Sequence, residues 1–403
     1  MNPTSLNSST TILLAILSII GNTYYWVTFV NRTHASARLS HHVHRTLRKL
    51  HFLGISAWPV VMILFWNRGT DDHLTLSPIS QQSVLVQTLM LITGSGSALL
   101  LIQTIRWQVS GKRCFERCIE KNAIPLPMDR QGTDYRGEPE GPGKLFPWNE
   151  IWSPQLTRKT VCIPANAAAE NPSAHPLRIL HLSDLHFDGT PGTDFYRQVF
   201  NHCTRLDFDL IALSGDLTDD SERVPLLADL LAPLLSRAPG TFILGNHDWR
   251  ISPDAIRRKM MAAGWIDLGG RHQVLETPAG PVWLSGNESP WQHQTPPPPP
   301  RDSNCLKILI SHTPDNISTA ISQGYDLMLS GHTHGGQVVL PLFGPVYCPS
   351  TYGPRYASGL FRAGSMWMHV TRGLGGLHHL RWRCPPEVTI LEVSRHHSSA
   401  PDR

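Results

Sequence analysis

The sequence predicts an α/β domain that follows an N-terminal region of about three membrane helices. Two observations predict the α/β domain. Short apolar runs alternate with helical segments from residue 176 onward, and five of these runs end in Asp, Asn or His side chains. Continuous short apolar runs between helices indicate strands that are buried on both faces. A third observation predicts the membrane region: three apolar stretches lie within residues 1–110, and residues 1–30 contain no charged side chain.

The apolar stretches lie near residues 11–30, 51–67 and 83–105. The first and third are long enough to cross a hydrocarbon core of about 30 Å, whereas the second is short and contains Pro59. Basic residues are concentrated in residues 31–50 and again directly after the third stretch. The positive-inside rule places both basic segments in the cytoplasm, and both reach that side only if the second and third stretches span. We therefore expect a multi-pass protein of the inner (cytoplasmic) membrane whose remaining chain faces the cytoplasm.

Charge and cysteine content argue against two other classes of protein. The net charge is only +4 and the second half has no dense stripe of Lys or Arg, so we do not expect nucleic acid as a partner. The seven cysteines show no CxxC spacing and imply neither a zinc cage nor a disulfide framework.

Composition divides the rest of the chain. Residues 111–154 are rich in Pro, Gly and polar groups and are predicted to be a linker. A domain at residues 155–396 follows, with a first edge strand near residues 158–163, and residues 397–403 form a tail. The polyproline run at residues 295–301 is predicted to be an exposed spacer between strands.

Five predicted strands are each followed by side chains that bind metal ions in other proteins. These side chains are Asp184, His186, Asp216, Asn246, His247, Asp248, His312, His332 and His334. Because ligand sites in open α/β sheets lie beyond the carboxyl ends of the strands, we expect these side chains on one rim. A single strand-end Asp often only caps the next helix. Clustered carboxylates, however, repel one another, and so do clustered protonated imidazoles, unless metal cations are bound. The set therefore predicts a metal centre.

The ligand types indicate which metal ions the centre binds. Mixed carboxylate and imidazole ligands suit Mn²⁺, Fe or Zn²⁺ better than Ca²⁺. Seven ligands are too many for one ion and sufficient for two that share a carboxylate. Two metal ions about 3.5–4 Å apart can hold a bridging hydroxide and position phosphoryl oxygens for in-line attack. The sequence contains neither GxSxG nor GxxxxGK[ST], so no serine nucleophile or phosphate-binding loop of those kinds is predicted.

The motifs DLH, GD, GNHD, SHTPD and GHTHGGQ occur in this order between residues 184 and 337. Together they resemble the calcineurin-like metallophosphoesterase family, most closely its bacterial branch that carries GHTHGGQ. The resemblance covers about residues 177–393 and implies two packed mixed β-sheets flanked by helices. It also implies that one ion is bound by Asp184, His186, Asp216 and His334. The other would be bound by Asp216, Asn246, His312 and His332, with Asp216 bridging.

Two further residues belong to the expected catalytic set. By the same resemblance, His247 is the histidine that stabilises the transition state or protonates the leaving oxygen. We infer that Asp248 orients it. Exposed arginines at 355, 362, 372 and 381 are candidates for holding a phosphate group.

The leading hypothesis is a membrane-anchored, two-metal phosphoesterase that hydrolyses phosphodiester or pyrophosphate bonds at the cytoplasmic membrane face. Its partners would be membrane lipids and a phosphorylated small-molecule or lipid-linked substrate. One alternative, from the same resemblance, is a UDP-2,3-diacylglucosamine pyrophosphohydrolase of lipid A synthesis. A second is a non-catalytic membrane scaffold that binds metal structurally, although the additional His247 favours catalysis. The sequence does not indicate an oligomeric state.

Overall fold

A computed structural model of the chain describes residues 8–34, 41–64, 84–115, 121–131, 134–137, 143, 145–164, 175–188, 190–300, 305–376 and 379–396. The chain forms two compact units. One consists of residues 1–111 and 342–353, and the other of residues 112–341 and 354–403. The predicted tail at residues 397–403 lies outside the described residues.

The first unit contains three helices: α1 (Ser8–His34), α2 (His41–Leu64) and α3 (Val84–Phe115). Helices α1 and α3 approach closely at Gly21 and Gly96, since a Cβ atom added to Gly96 would lie 2.4 Å from the carbonyl oxygen of Gly21. Ser18 and Thr93 share a buried hydrogen bond of 2.5 Å across the same contact. Small residues and buried hydroxyl groups of this kind are typical of helices that pack inside a membrane.

Among the residues that the structure describes, two helical segments, Ile12–Thr33 and Gln87–Arg106, are long and apolar enough to cross a membrane. The second predicted stretch is not among them. It forms the later part of α2, whose earlier part carries Arg45, Arg48 and Lys49. The apolar part that remains is shorter than the roughly 20 residues that a spanning helix needs. Length and composition therefore support two of the three predicted membrane helices.

The second unit contains two large β-sheets. The first has the order β1 (Lys121–Pro125), β2 (Gln155–Pro164), β15 (Glu387–His396), β3 (Leu177–Leu182), β4 (Leu210–Leu213), β5 (Gly240–Phe242) and β6 (Ile266–Asp267). The second has the order β13 (Gly359–Ala363), β14 (Met366–Val370), β10 (Leu327–Ser330), β9 (Leu306–Ser311), β8 (Gly280–Asn287) and β7 (His272–Thr277). Both sheets combine parallel and antiparallel pairs. Two short strands, β11 (Val339–Leu340) and β12 (Gly344–Pro345), follow β10 in the chain.

Five helices accompany these sheets: α4 (Thr193–Cys203), α5 (Val224–Leu235), α6 (Asn246–Ile251), α7 (Pro253–Ala262) and α8 (Ile317–Gln323). Apolar side chains from both sheets, including Ile179 and Ile308, form a core between them. Helices α4, α5 and α7 pack on the outer face of the first sheet, and α8 packs on the second. This confirms the predicted arrangement of two mixed sheets flanked by helices.

Three segments differ from the sequence prediction. Strand β2 is internal, because β1 pairs with one side of it and β15 with the other. The segment predicted to be a linker contributes β1 and the fully buried Tyr135, whose hydroxyl donates to the carbonyl oxygen of Trp152 at 2.7 Å. The polyproline run is not exposed on all sides. Pro296 and Pro299 are buried, which is the three-residue period of a polyproline II helix with one face packed.

Candidate metal centre

The predicted ligand loops meet beyond the ends of the strands. Asp184 and His186 follow β3, and Asp216 follows β4. Asn246 lies at the start of α6 after β5, whereas His312 follows β9. His332 and His334 follow β10. Three groups have potential ligand atoms within 4.8 Å of one another: Asp184, His186 and His334; His186, Asp216 and His247; Asp216, His312 and His332. The predicted convergence is therefore present in the structure.

One side of the centre is formed by two imidazoles and two carboxylates. The Nε2 atoms of His186 and His334 lie 3.3 Å apart. His334 Nε2 lies 3.5 Å from Asp184 Oδ1, and His186 Nε2 lies 3.6 Å from Asp216 Oδ2. All four side chains are buried. These four atoms belong to the residues that the family resemblance implies for one metal ion.

The other side uses the same oxygen of Asp216. His312 Nε2 lies 3.2 Å from Asp216 Oδ2 and 3.1 Å from Asn246 Oδ1. His332 points its Nδ1 atom at His312 Nε2, at a distance of 3.2 Å. Asp216 Oδ2 therefore lies between the two halves of the centre.

Hydrogen bonds outside the centre show that its inner atoms suit a cation. The Nδ1 atom of His312 donates to the carbonyl oxygen of Ser214 at 2.8 Å, which leaves Nε2 to point inward. The Nδ1 atom of His186 lies 2.6 Å from Asp219 Oδ2, so the Nε2 atom of His186 also points inward. Inward nitrogen lone pairs facing carboxylate oxygens would repel one another. A metal ion removes that repulsion, and such outer hydrogen bonds commonly orient metal-binding histidines.

The pKa shifts also show that the centre attracts positive charge. Burial lowers the pKa of His186, but the carboxylates of Asp219 and Asp216 outweigh burial and raise this pKa to about 10. His312 behaves in the same way: burial opposes its charged form, and Asp216 raises its pKa to about 9. Either protons or metal ions can supply this charge, and bound metal displaces the protons.

Backbone conformation is strained at the same place. Five ligand residues have positive φ angles: Asp184 (49°), His186 (45°), Asp216 (52°), His332 (70°) and His334 (51°). Such conformations cost about 1–3 kcal/mol each and are concentrated at functional sites. Close approach also requires glycine at 331, because a Cβ atom there would lie 2.2 Å from Asp184 Oδ2. The loops are thus shaped to bring ligand atoms together at a cost in stability.

The structure identifies a functional residue that sequence reasoning missed. Asp219 contacts the Nδ1 atoms of both His186 and His247, one through each carboxylate oxygen. Burial raises the pKa of Asp219, but the two histidines outweigh this and hold it well below its usual value. The available signal was its position in GDLTD, three residues after Asp216. Asp219 therefore orients a predicted metal ligand and the predicted catalytic histidine together.

Asp248 does not have the orienting role that we expected. Its carboxylate accepts backbone N–H groups from Leu217 at 2.9 Å, Thr218 at 3.2 Å and Gly245 at 2.9 Å. Asp248 is the third residue of α6, and a carboxylate there folds back onto the N-terminus of its own helix. Burial, with help from Asp216, raises its pKa to about 7. Asp248 thus joins the two loops that carry Asp216 and Asn246.

Two of the four candidate arginines are structural. Arg381 is fully buried, and its guanidinium donates to the carbonyl oxygens of Arg372 at 2.7 Å and Cys384 at 3.2 Å. The guanidinium of Arg372 lies 3.4 Å from Glu387 Oε2. The expectation that Arg381 is exposed was wrong, because the surrounding loop closes over its side chain. The local sequence around Arg381 gives no sign of this burial. Arg355 and Arg362 are exposed and stack on Tyr356 and Trp367.

Comparison with known proteins identifies the family. Residues 177–336 match the family model described as calcineurin-like phosphoesterase. The chain is 35% identical to phosphodiesterase YaeI of Escherichia coli (strain K12) over 226 residues, which cover 55% of this chain and 83% of that relative. The chain belongs to the calcineurin-like phosphoesterase family. It is a metal-dependent hydrolase, which disfavours the alternative of a non-catalytic scaffold.

Two other relatives of this phosphoesterase are of interest. It is 26% identical to UDP-2,3-diacylglucosamine pyrophosphatase LpxG of Chlamydia trachomatis over 306 residues, which cover 60% of this chain and 91% of LpxG. It is also 26% identical to a transmembrane protein with metallophosphoesterase domain of Danio rerio over 236 residues, which cover 50% of this chain and 49% of that relative. The two candidate spans of this chain suggest association with a membrane.

Proposed function

We propose that this phosphoesterase hydrolyses phosphodiester or pyrophosphate bonds at the cytoplasmic face of a membrane, with two divalent metal ions that share Asp216. The observation that supports two ions is the position of Asp216 Oδ2. It lies 3.6 Å from His186 Nε2 on one side and 3.2 Å from His312 Nε2 on the other. A single carboxylate oxygen between two imidazole groups is the arrangement that a bridging ligand requires.

The donor atoms divide into two sets. The first set is Asp184 Oδ1, His186 Nε2, His334 Nε2 and Asp216. The second set is Asp216, Asn246 Oδ1, His312 Nε2 and His332 Nδ1. The nitrogen-rich mixture suits Mn²⁺, Fe or Zn²⁺. When bound, the ions polarise phosphoryl oxygens and lower the pKa of water.

His247 is the residue of this chain that handles a proton. Its side chain is 14% exposed, and its Nδ1 atom contacts Asp219 Oδ1. Asp219 therefore fixes the orientation of the ring and directs Nε2 away from itself, toward a bound substrate. From there His247 donates to a phosphoryl oxygen as charge develops, or protonates the leaving oxygen. Asp219 acts through His247 and is a positioning residue.

Membrane anchoring rests on sequence and helix composition. Residues 12–33 and 87–106 are the two candidate spans. We propose that the second stretch, near residues 51–67, also spans. Only then do both basic segments, residues 31–50 and the segment after the third stretch, face the cytoplasm. Its shortness would be accommodated by local thinning of the bilayer or by snorkelling of Lys49.

The substrate has two candidate chemistries. The greater identity to phosphodiesterase YaeI favours a phosphodiester. The match that covers 91% of LpxG favours the alternative, a UDP-2,3-diacylglucosamine pyrophosphohydrolase. Both substrates would present a phosphoryl group to the same donor atoms, so turnover must distinguish them.

The test uses the full chain in detergent, with bis-p-nitrophenyl phosphate and UDP-2,3-diacylglucosamine as substrates. We expect turnover with Mn²⁺, loss of turnover with chelator, and loss in His247→Ala and Asp216→Asn. Asp220→Asn is the matched control, because the Asp220 carboxylate accepts the backbone N–H of Glu222 and pairs with Arg223, and contacts neither His186 nor His247. Preference for the lipid nucleotide selects the pyrophosphohydrolase. Tight metal binding with no turnover of either compound would contradict the proposal.

A further inference from the structure

An uncharged and strongly apolar segment follows the histidine pair of the metal centre. Residues 337–354 contain no Asp, Glu, Lys or Arg. Two large apolar side chains of this segment are exposed: Leu342 is 74% exposed and Phe343 is 42% exposed. Residues 342–353, which we term the apolar loop, belong to the same compact unit as helices α1, α2 and α3. The loop therefore belongs structurally to the proposed membrane region.

Leu342 is also held in an unfavourable conformation. Its φ angle is 69°, in the left-handed region that a bulky residue rarely adopts. Burial does not offset this cost, since most of the side chain is accessible to solvent. Non-glycine residues held at such angles are concentrated at functional sites.

A specific contact joins the apolar loop to the end of α1. Asn31 Nδ2 donates to the carbonyl oxygen of Val346 at 3.1 Å, and Asn31 Oδ1 accepts the backbone N–H of Cys348 at 3.0 Å. Asn31 is only 2% exposed and lies in the last turn of the candidate span Ile12–Thr33. The side-chain amide thus fixes the loop backbone at the level where the span ends. In the membrane anchoring proposed above, that level is the interface between hydrocarbon and water.

We propose that the apolar loop inserts Leu342 and Phe343 into the interfacial layer of the bilayer. This proposal rests on the membrane anchoring proposed above. The apolar loop lies at the end of α1 and is therefore next to the proposed membrane span. Because the loop contains no charged side chain, its insertion has no cost of burying a charge. Tyr347 and Tyr352 also lie in the loop, and aromatic side chains are enriched at membrane interfaces. The first charged residue beyond the loop is Arg355, which is exposed and suits anionic lipid headgroups.

The loop indicates a class of substrate. Leu342 is the eighth residue after His334 in the chain. The bilayer contact and a metal-binding histidine are therefore close in the chain. A substrate that is itself a membrane lipid would be held at the same surface. The loop therefore favours a lipid-linked phosphoester over a freely soluble one.

The test places a photoreactive side chain in the full-length protein, reconstituted in phosphatidylcholine and phosphatidylglycerol nanodiscs. p-Benzoylphenylalanine replaces Leu342 in one variant and Phe343 in a second, in case the first does not fold. Ile321 of α8 is the matched control, because it is also a large apolar side chain and is 47% exposed. We expect lipid adducts from positions 342 and 343 at several times the level from position 321.

Absence of lipid adducts from both loop positions would overturn the proposal, as would crosslinks to a second copy of the chain or to the scaffold protein instead of lipid. Two further readouts separate its failure from failure of the proposed function. Retention of the chain in nanodiscs during gel filtration reports membrane anchoring. Turnover of bis-p-nitrophenyl phosphate by the same samples reports the metal centre, which neither loop substitution touches.

Discussion

Replacing Asp219 by Asn tests whether the two carboxylate oxygens of this residue link metal binding to catalysis. In the native chain, each carboxylate oxygen of Asp219 accepts from a different histidine, His186 or His247. An asparagine has one carbonyl oxygen and one NH₂ group, so it can accept from only one of the two rings. The other ring then faces an N–H donor and must change its tautomer.

The structure indicates which histidine is affected and by how much. Saturating metal holds the Nε2 lone pair of His186 inward, so the mismatch falls on His247. A hydrogen bond to a charged group contributes about 1.5–3 kcal/mol. With about 1.36 kcal/mol for each factor of ten, kcat should fall about 10- to 150-fold. The affinity for Mn²⁺ should also fall, by about 10- to 100-fold, because His186 loses its preferred outer partner.

The assay measures kcat and KM for bis-p-nitrophenyl phosphate across a Mn²⁺ titration. We expect a lower kcat for Asp219→Asn even at saturating Mn²⁺, with a small change in KM. Asp220→Asn, the neighbouring isosteric change, should match the wild type. A wild-type kcat for Asp219→Asn at saturating Mn²⁺ would refute the reasoning and return the orienting role to another residue.

Three further predictions follow from buried groups. Asp248→Ala removes the acceptor for three backbone N–H groups, so we expect a loss of about 1–3 kcal/mol in the free energy of unfolding, measured with urea, for each donor left unpaired. Gly331→Ala should abolish metal binding measured by calorimetry, because its Cβ would lie 2.2 Å from Asp184 Oδ2; native affinity would contradict the close packing. Burial opposes the charged form of Glu387, but Lys159, 2.7 Å away, outweighs burial and holds its pKa well below the usual value. The stabilisation by the Glu387 carboxylate is therefore complete above the usual Glu pKa of about 4.3 and is lost as the pH falls below that value. We expect Glu387→Gln to lower the free energy of unfolding by about 3–5 kcal/mol at neutral pH. In this variant the free energy of unfolding should also fall less steeply as the pH is lowered, which is a flatter acid limb. An unchanged acid limb would show that this pair does not govern acid unfolding.

Much of the metal centre could be predicted because its signals are local. Each expected ligand lies within four residues of the end of a short apolar strand, as Asp184 follows β3 and His312 follows β9. Parallel strands bring their carboxyl ends to one edge, so local patterns were sufficient to predict the convergence. The different roles of Asp219 and Asp248 could not be predicted from local sequence patterns. Both are acidic residues near ligands, and only the direction of each side chain separates them.

The parts of the fold that could not be predicted depend on distant contacts. The last strand, β15, lies between β2 and β3, and no local pattern specifies such an insertion. The segments around Tyr135 and Arg381 have the composition of exposed loops, yet both residues are fully buried. In α2, basic residues and an apolar run form one continuous helix, so the apolar stretch did not reveal where the helix begins.

The most direct test of two ions sharing Asp216 is the metal content of the purified chain, measured by mass spectrometry alongside turnover. After reconstitution with Mn²⁺ and removal of free ions, we predict two ions for each chain and full activity. Asp216→Asn should lose both ions, whereas Asp220→Asn should retain both. One tightly bound ion in a fully active wild-type protein, or activity that survives complete removal of metal, would contradict the proposed two-metal centre.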